Sequence, residues 1–72
     1  MYRYIAVKEK LYHKDIGTYT SYGIKAFKDG KEVGFVSDVS VDRDFVEELV
    51  ELCNTEQLDP IHLFDVVEDA IS

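Results

Sequence analysis

Four residues, Lys28-Asp29-Gly30-Lys31, constrain this chain more than any others. Asp-Gly between two alternating runs signals a two-residue hairpin turn, because a type I′ turn needs positive φ at both central positions. The turn fixes a register. With Lys28 opposite Lys31, Ala26 is expected opposite Val33 and Ile24 opposite Phe35. A slip of one residue would move one of these runs to the other face.

Residues 2–12 alternate as well, which predicts a preceding strand. Ile5, Val7 and Leu11 point one way. Tyr2, Tyr4, Ala6, Lys8, Lys10 and Tyr12 point the other. His13-Lys14-Asp15-Ile16-Gly17 reads as a loop. The second strand is expected over 18–28 and the third over 31–37.

After Ser37 the period changes from two to 3.6. Asp42 is a plausible N-cap for a helix whose apolar stripe is Phe45, Leu49, Leu52 and Cys53, flanked by Val46 and Val50, with Asn54 as its stop. A second helix starts at Asp59-Pro60, a capping residue before proline at the first helical position. Its expected stripe is Leu63, Val67, Ala70 and Ile71, joined by Phe64. The fold class is therefore α+β in a single domain, residues 1–72. A three-stranded antiparallel meander is followed by two helices packed on one face (βββαα), making two layers. The face expected beneath the helices is Ile5, Val7, Ile24, Ala26, Val33 and Phe35.

Charge divides along the chain. Residues 1–36 sum to +3 and residues 37–72 to −10, within a net −7. Acidic helix faces and lysine-bearing strands serve solubility and guard sheet edges. The split also suits a charged partner.

No catalytic or metal-binding pattern stands out. His13 and His62 are isolated, and Cys53 lies on an apolar helical stripe, where a thiol behaves as a small hydrophobe. Asp65, Glu68 and Asp69 lack the spaced oxygens and glycine of a calcium loop. No cofactor is expected.

With the helices on one side, the other side is expected to carry Tyr2, Tyr4, Lys8, Lys10, Tyr12, Tyr19, Lys25 and Phe27. A chain of 72 residues with one cysteine has no disulfide to staple it, so oligomerisation is the remaining support. The expected function is a non-enzymatic protein-interaction module, homo-oligomeric through that tyrosine–lysine face or a sheet edge, or bound there to another protein. Binding of single-stranded nucleic acid is the alternative, since aromatics interleaved with lysines stack bases. The acidic pI, about 4.6, counts against it. A small enzyme using His62 or Cys53 is the third reading. Without an apolar leader or membrane-length run, a cytoplasmic location is expected.

Ser21-Tyr22-Gly23-Ile24, Asp38-Val39-Ser40, Cys53-Asn54 and Leu58-x-Pro60-x-His62-Leu63 running into Asp65-Val66-Val67-Glu68-Asp69 span most of the chain. In these strings the chain resembles a family of short uncharacterised proteins, a domain of unknown function, from clostridia-like Firmicutes. The resemblance implies a cytoplasmic bacterial protein. It implies no activity and no site residue.

Overall fold

The computed structural model describes residues 1–72. Its strands are β1 (Tyr2–His13), β2 (Gly17–Lys28) and β3 (Lys31–Ser40), in the order β1-β2-β3 and antiparallel throughout. Helix α1 (Arg43–Thr55) follows. A 3₁₀ turn (Pro60–His62) then leads into α2 (Leu63–Ile71). The expected βββαα order and two-layer architecture are what the chain forms.

The turn between β2 and β3 is the expected one, with φ of 49° at Asp29 and 85° at Gly30. Lys28 stands opposite Lys31, but the register beyond it differs from the expected one. Phe27 pairs with Glu32 and Ala26 with Gly34, so Val33 is an extra residue in β3. Ile24 consequently faces Val36, not Phe35. A bulge adds one residue to one strand and reverses the facing of everything after it. Phe35 and Val33 are thereby placed on the opposite face from the expected one, or out of the pairing altogether.

A second irregularity follows at once. Ile24 pairs with Val36 and Tyr22 with Ser40, so three residues of β3 pass a single residue, Gly23. Asp38, at the centre of that excursion, has φ of 53°. Asp tolerates the left-handed region better than bulky residues do.

The face expected for β1 is inverted. Tyr4 is the strand's buried residue, 1% exposed, with Tyr2 and Ala6 packed beside it against the core. The core also holds Ile24, Ala26, Val39, Val46, Leu49, Val50, Cys53, Leu63 and Val67. Ile5, Val7 and Leu11 point away from the helices. Tyrosine goes inward because the chain after α1 supplies acceptors. The Tyr4 hydroxyl donates to the Leu58 carbonyl, and the Tyr2 hydroxyl donates to Asp59 at 3.4 Å. A buried phenol with a partner contributes a large apolar area without a stranded polar atom.

Asp42 caps α1, accepting from the backbone N–H groups of Asp44 and Phe45. Val46, Leu49, Val50 and Cys53 face the sheet, Phe45 partly so, and Leu52 is exposed. Asp59 accepts from Ile61 N–H and starts the 3₁₀ turn. In α2 only Leu63 and Val67 are buried, with Val66 partly covered. Phe64, Ala70 and Ile71 are exposed, contrary to expectation. Phe64 and Ile71 lie about 100° or slightly less around the helix from Leu63, at the border of its sheet-facing stripe.

The longest dimension is 39 Å, the length of a twelve-residue strand at about 3.3 Å per residue. β2 pairs with β3 only as far as Tyr22, so Gly17–Ser21 pairs with β1 alone. The far end of the β1–β2 hairpin is a two-stranded ribbon.

Candidate functional site

The uncovered face of the sheet is built from residues that alternation places opposite the core. β1 contributes Arg3, Ile5, Val7, Glu9 and Leu11, and β2 contributes Phe27, Lys25 and Tyr19 as their direct partners. β3 contributes Phe35, opposite Lys25 and 44% exposed. The Lys25 ammonium sits 5.7 Å from the centroid of the Phe35 ring and 3.4 Å from Glu32.

The surface is divided. At the turn end, Met1, Arg3, Ile5, Phe27, Asp29 and Gly30 line a shallow cavity of about 610 Å³. At the other end lies a polar brace. Glu9 reaches from β1 across β2 to β3, where it accepts from the Ser37 hydroxyl and the Asp38 backbone N–H, both at 2.8 Å. Gly23 makes that crossing possible. A Cβ there would lie 2.6 Å from the Val36 carbonyl oxygen, 3.0 Å from Glu9 and 3.1 Å from the Phe35 ring.

Asp38 continues the brace. It accepts from the Tyr19 hydroxyl at 2.8 Å and from the fully buried Ser21 hydroxyl at 2.5 Å. The hydrogen bond to Asp38 raises the pKa of Tyr19, with slight burial and the nearby Asp38 and Glu9 charges adding to it. The phenol keeps its proton further into the alkaline range than a free tyrosine does. Chemically this is two carboxylates accepting from three hydroxyls and a backbone N–H, an arrangement that ties β1 to β3 across β2.

Of the eight residues expected on this face, Tyr19, Lys25 and Phe27 are there. Tyr2 and Tyr4 are under the helices, and Lys8, Lys10 and Tyr12 follow them onto the helix side by alternation. Lys8 lines a recess there with Ala6, Tyr22, Arg43 and Glu47. The tyrosine–lysine platform is therefore dispersed over two faces, and an aliphatic and phenylalanine surface replaces it. Sequence reasoning missed Glu9, Asp38 and Phe35. A glycine inside a strand pattern, Gly23, was the available signal for a close approach.

None of the residues considered for catalysis hydrogen-bonds to another of them. Cys53 is buried, and burial pushes its thiol pKa up. His62 is exposed on the 3₁₀ turn. His13 is exposed beside the ribbon tip, where its Nδ1 accepts from Asp15 N–H at 3.2 Å. No group of three or more His, Cys, Asp or Glu side chains is placed to hold a metal. No helix is long and apolar enough to cross a membrane.

Over residues 1–72 the chain matches a family described as "Family of unknown function (DUF6514)", and it belongs to that family. No curated protein and no solved structure matches it.

Proposed function

We propose, taking membership of a family without assigned activity as the premise, that this protein is a non-enzymatic interaction module that pairs with a second copy through the uncovered sheet face. The observation that carries the reading is the inverted facing of β1 and β3. Ile5, Val7, Phe27 and Phe35 lie together where no helix covers them, with Leu11 on the same face beyond the Glu9 brace. Apolar residues gathered on one exposed face mark an interaction surface.

Charge supports a face-to-face pair. The uncovered face balances Arg3 and Lys25 against Glu9 and Glu32. The exposed acids Glu47, Glu48, Glu51, Asp65, Glu68 and Asp69 belong to the helix layer. Pairing through the sheets puts both acidic layers outermost, separated by well over the roughly 8 Å screening length of physiological salt.

Size sets the strength. Three strands about 4.8 Å apart and nine residues long make a face of roughly 400 Å² in projection. That is about half the area each partner gives to a standard interface, which predicts a weak and concentration-dependent dimer. We take the setting to be the bacterial cytoplasm, with Cys53 reduced.

Sedimentation equilibrium tests the reading. The wild type should shift from monomer toward dimer through the micromolar range, about the regime of small interfaces. Val7→Glu combined with Phe35→Glu should hold it monomeric while its far-ultraviolet spectrum is retained. A wild type still monomeric in the millimolar range, or a folded double variant that associates as the wild type does, would overturn it. Labelled single-stranded oligonucleotide, titrated in low salt, reads out the nucleic-acid alternative on the same samples.

A further inference from the structure

β1 is an edge strand, and its free edge is treated in two different ways along its length. Tyr2 and Tyr4 turn their backbone groups away from β2, and side-chain amides meet them. Asn54 accepts from Tyr4 N–H at 2.8 Å and donates to the Tyr4 carbonyl at 3.0 Å. Gln57 does the same at Tyr2, with both contacts at 2.9 Å. Asn54 in the last turn of α1 and Gln57 just beyond the helix thus stand in for a fourth strand, and the cover then stops. By antiparallel alternation Ala6, Lys8, Lys10 and Tyr12 present their N–H and C=O groups the same way, and no side chain hydrogen-bonds to them.

We infer that this open stretch, residues 6–12 of β1, docks an extended acidic segment of another protein as an added strand. Strand addition draws affinity from backbone hydrogen bonds and selectivity from the side chains alongside. Those side chains are basic. Lys8 and Lys10 are exposed on the strand itself, and Arg43 stands across the recess from Lys8. None of the three is within ion-pairing distance of a carboxylate, for the only ion pairs involve Met1, His13 and Lys25. The recess, about 280 Å³, opens beside the edge at Ala6 and Lys8. It suits a single carboxylate side chain reaching Lys8 and Arg43, though Glu47 on its wall limits how many.

A second copy of β1 fits this edge poorly. Symmetric antiparallel pairing places even residues opposite even residues. Centred on Glu9, it sets Lys8 against Lys10 of the copy. Centred on Lys8 or Lys10, it sets that lysine against itself. The three registers that pair most of the open stretch, centred on Lys8, Glu9 or Lys10, each carry a lysine–lysine pair, and like charges directly opposite are destabilising. Registers centred on Val7 or Leu11 avoid it but pair only Ala6 with Lys8, or Lys10 with Tyr12, within the stretch. Lysine is also how edges are guarded against self-pairing. The same lysines attract an acidic strand. This surface is distinct from the uncovered face, so either can fail without the other.

The probe is a capped peptide of about nine residues alternating glutamate and valine, titrated into isotope-labelled protein. Amide exchange should slow at Ala6, Lys8, Lys10 and Tyr12 and stay unchanged at Tyr2 and Tyr4. Lys8→Glu with Lys10→Glu should weaken binding at least about tenfold. Lys10→Pro removes one outward N–H from an edge position, where proline is tolerated. It should abolish docking while the melting temperature holds. If that variant unfolds, the charge pair carries the test alone. A lysine–valine peptide binding equally well overturns the inference. So do shifts centred on Ile5 and Phe35, or no response at millimolar peptide.

Discussion

The two faces of this sheet carry comparable amounts of apolar side chain, yet only one is covered. The covered face holds Tyr2, Tyr4, Ala6, Ile24, Ala26, Val36 and Val39. The bare face holds Ile5, Val7, Leu11, Phe27 and Phe35. By hydropathy the bare face is the more obvious core. What separates them is fit. On the covered side the small Ala6 and Ala26 pack in or against the core, while the phenols of Tyr4 and Tyr2 reach acceptors at Leu58 and Asp59. Apolar content alone does not select which face of a sheet a helix takes. The partners available to its polar tips do.

The largest test of that contrast compares neighbours on one strand. Tyr4→Ala should cost roughly 3–5 kcal/mol, the range for deleting a buried aromatic. In a domain this small that is most of the stability, so its urea midpoint should collapse. Ile5→Ala, one residue along on the bare face, should cost about 1 kcal/mol in dilute protein. Equal losses would break the contrast.

Gly23→Ala comes next. The added methyl meets the Val36 carbonyl and the Glu9 carboxylate, and overpacking of this kind costs about 1–3 kcal/mol. Glu9→Ala in the same background should recover part of it, because one of the crowding groups is gone. No recovery would mean that the backbone contact alone sets the loss.

The smallest effect is alkaline. Burial, with the nearby Cys53 and Asp59 charges, pushes the Tyr4 pKa up to about 12, from near 10 in an unfolded chain. Between those values the unfolded state releases a proton that the folded state keeps, so stability falls as pH rises through that window. Tyr4→Phe should lower stability by about 1 kcal/mol at neutral pH for the lost hydrogen bond. It should also flatten the decline between pH 10 and 12, bounds set by the pKa near 10 in an unfolded chain and about 12 when folded. Urea midpoints across that range check both.

The element order, the Asp29-Gly30 turn and the Asp42 cap were all legible in the sequence. Each depends on a few adjacent residues with a local mechanism. The facing of β1 was not legible, because period two identifies two faces without ranking them. The register past Glu32 was lost to Val33, since a two-residue turn fixes only the pairs beside it. Asp38 and Glu9 meet across a whole strand, and nothing local joins them. The exposure of Phe64 and Ile71 depends on the helical phase at which α2 leaves the 3₁₀ turn.

The amides of Asn54 and Gln57 are chemically perishable. Hydrolysis to a carboxylate leaves the shape nearly intact but replaces a donor with an acceptor. At Asn54 that change would set a negative oxygen against the Tyr4 carbonyl, 3.0 Å away in the intact protein. Neither Asp nor Glu can substitute at these two positions for the same reason, although acidic residues are common nearby, with Glu47, Glu48 and Glu51 in α1 and Glu56 just after it. An aged molecule would differ from a fresh one by a few atoms, and it would have lost half of the seal on its own edge.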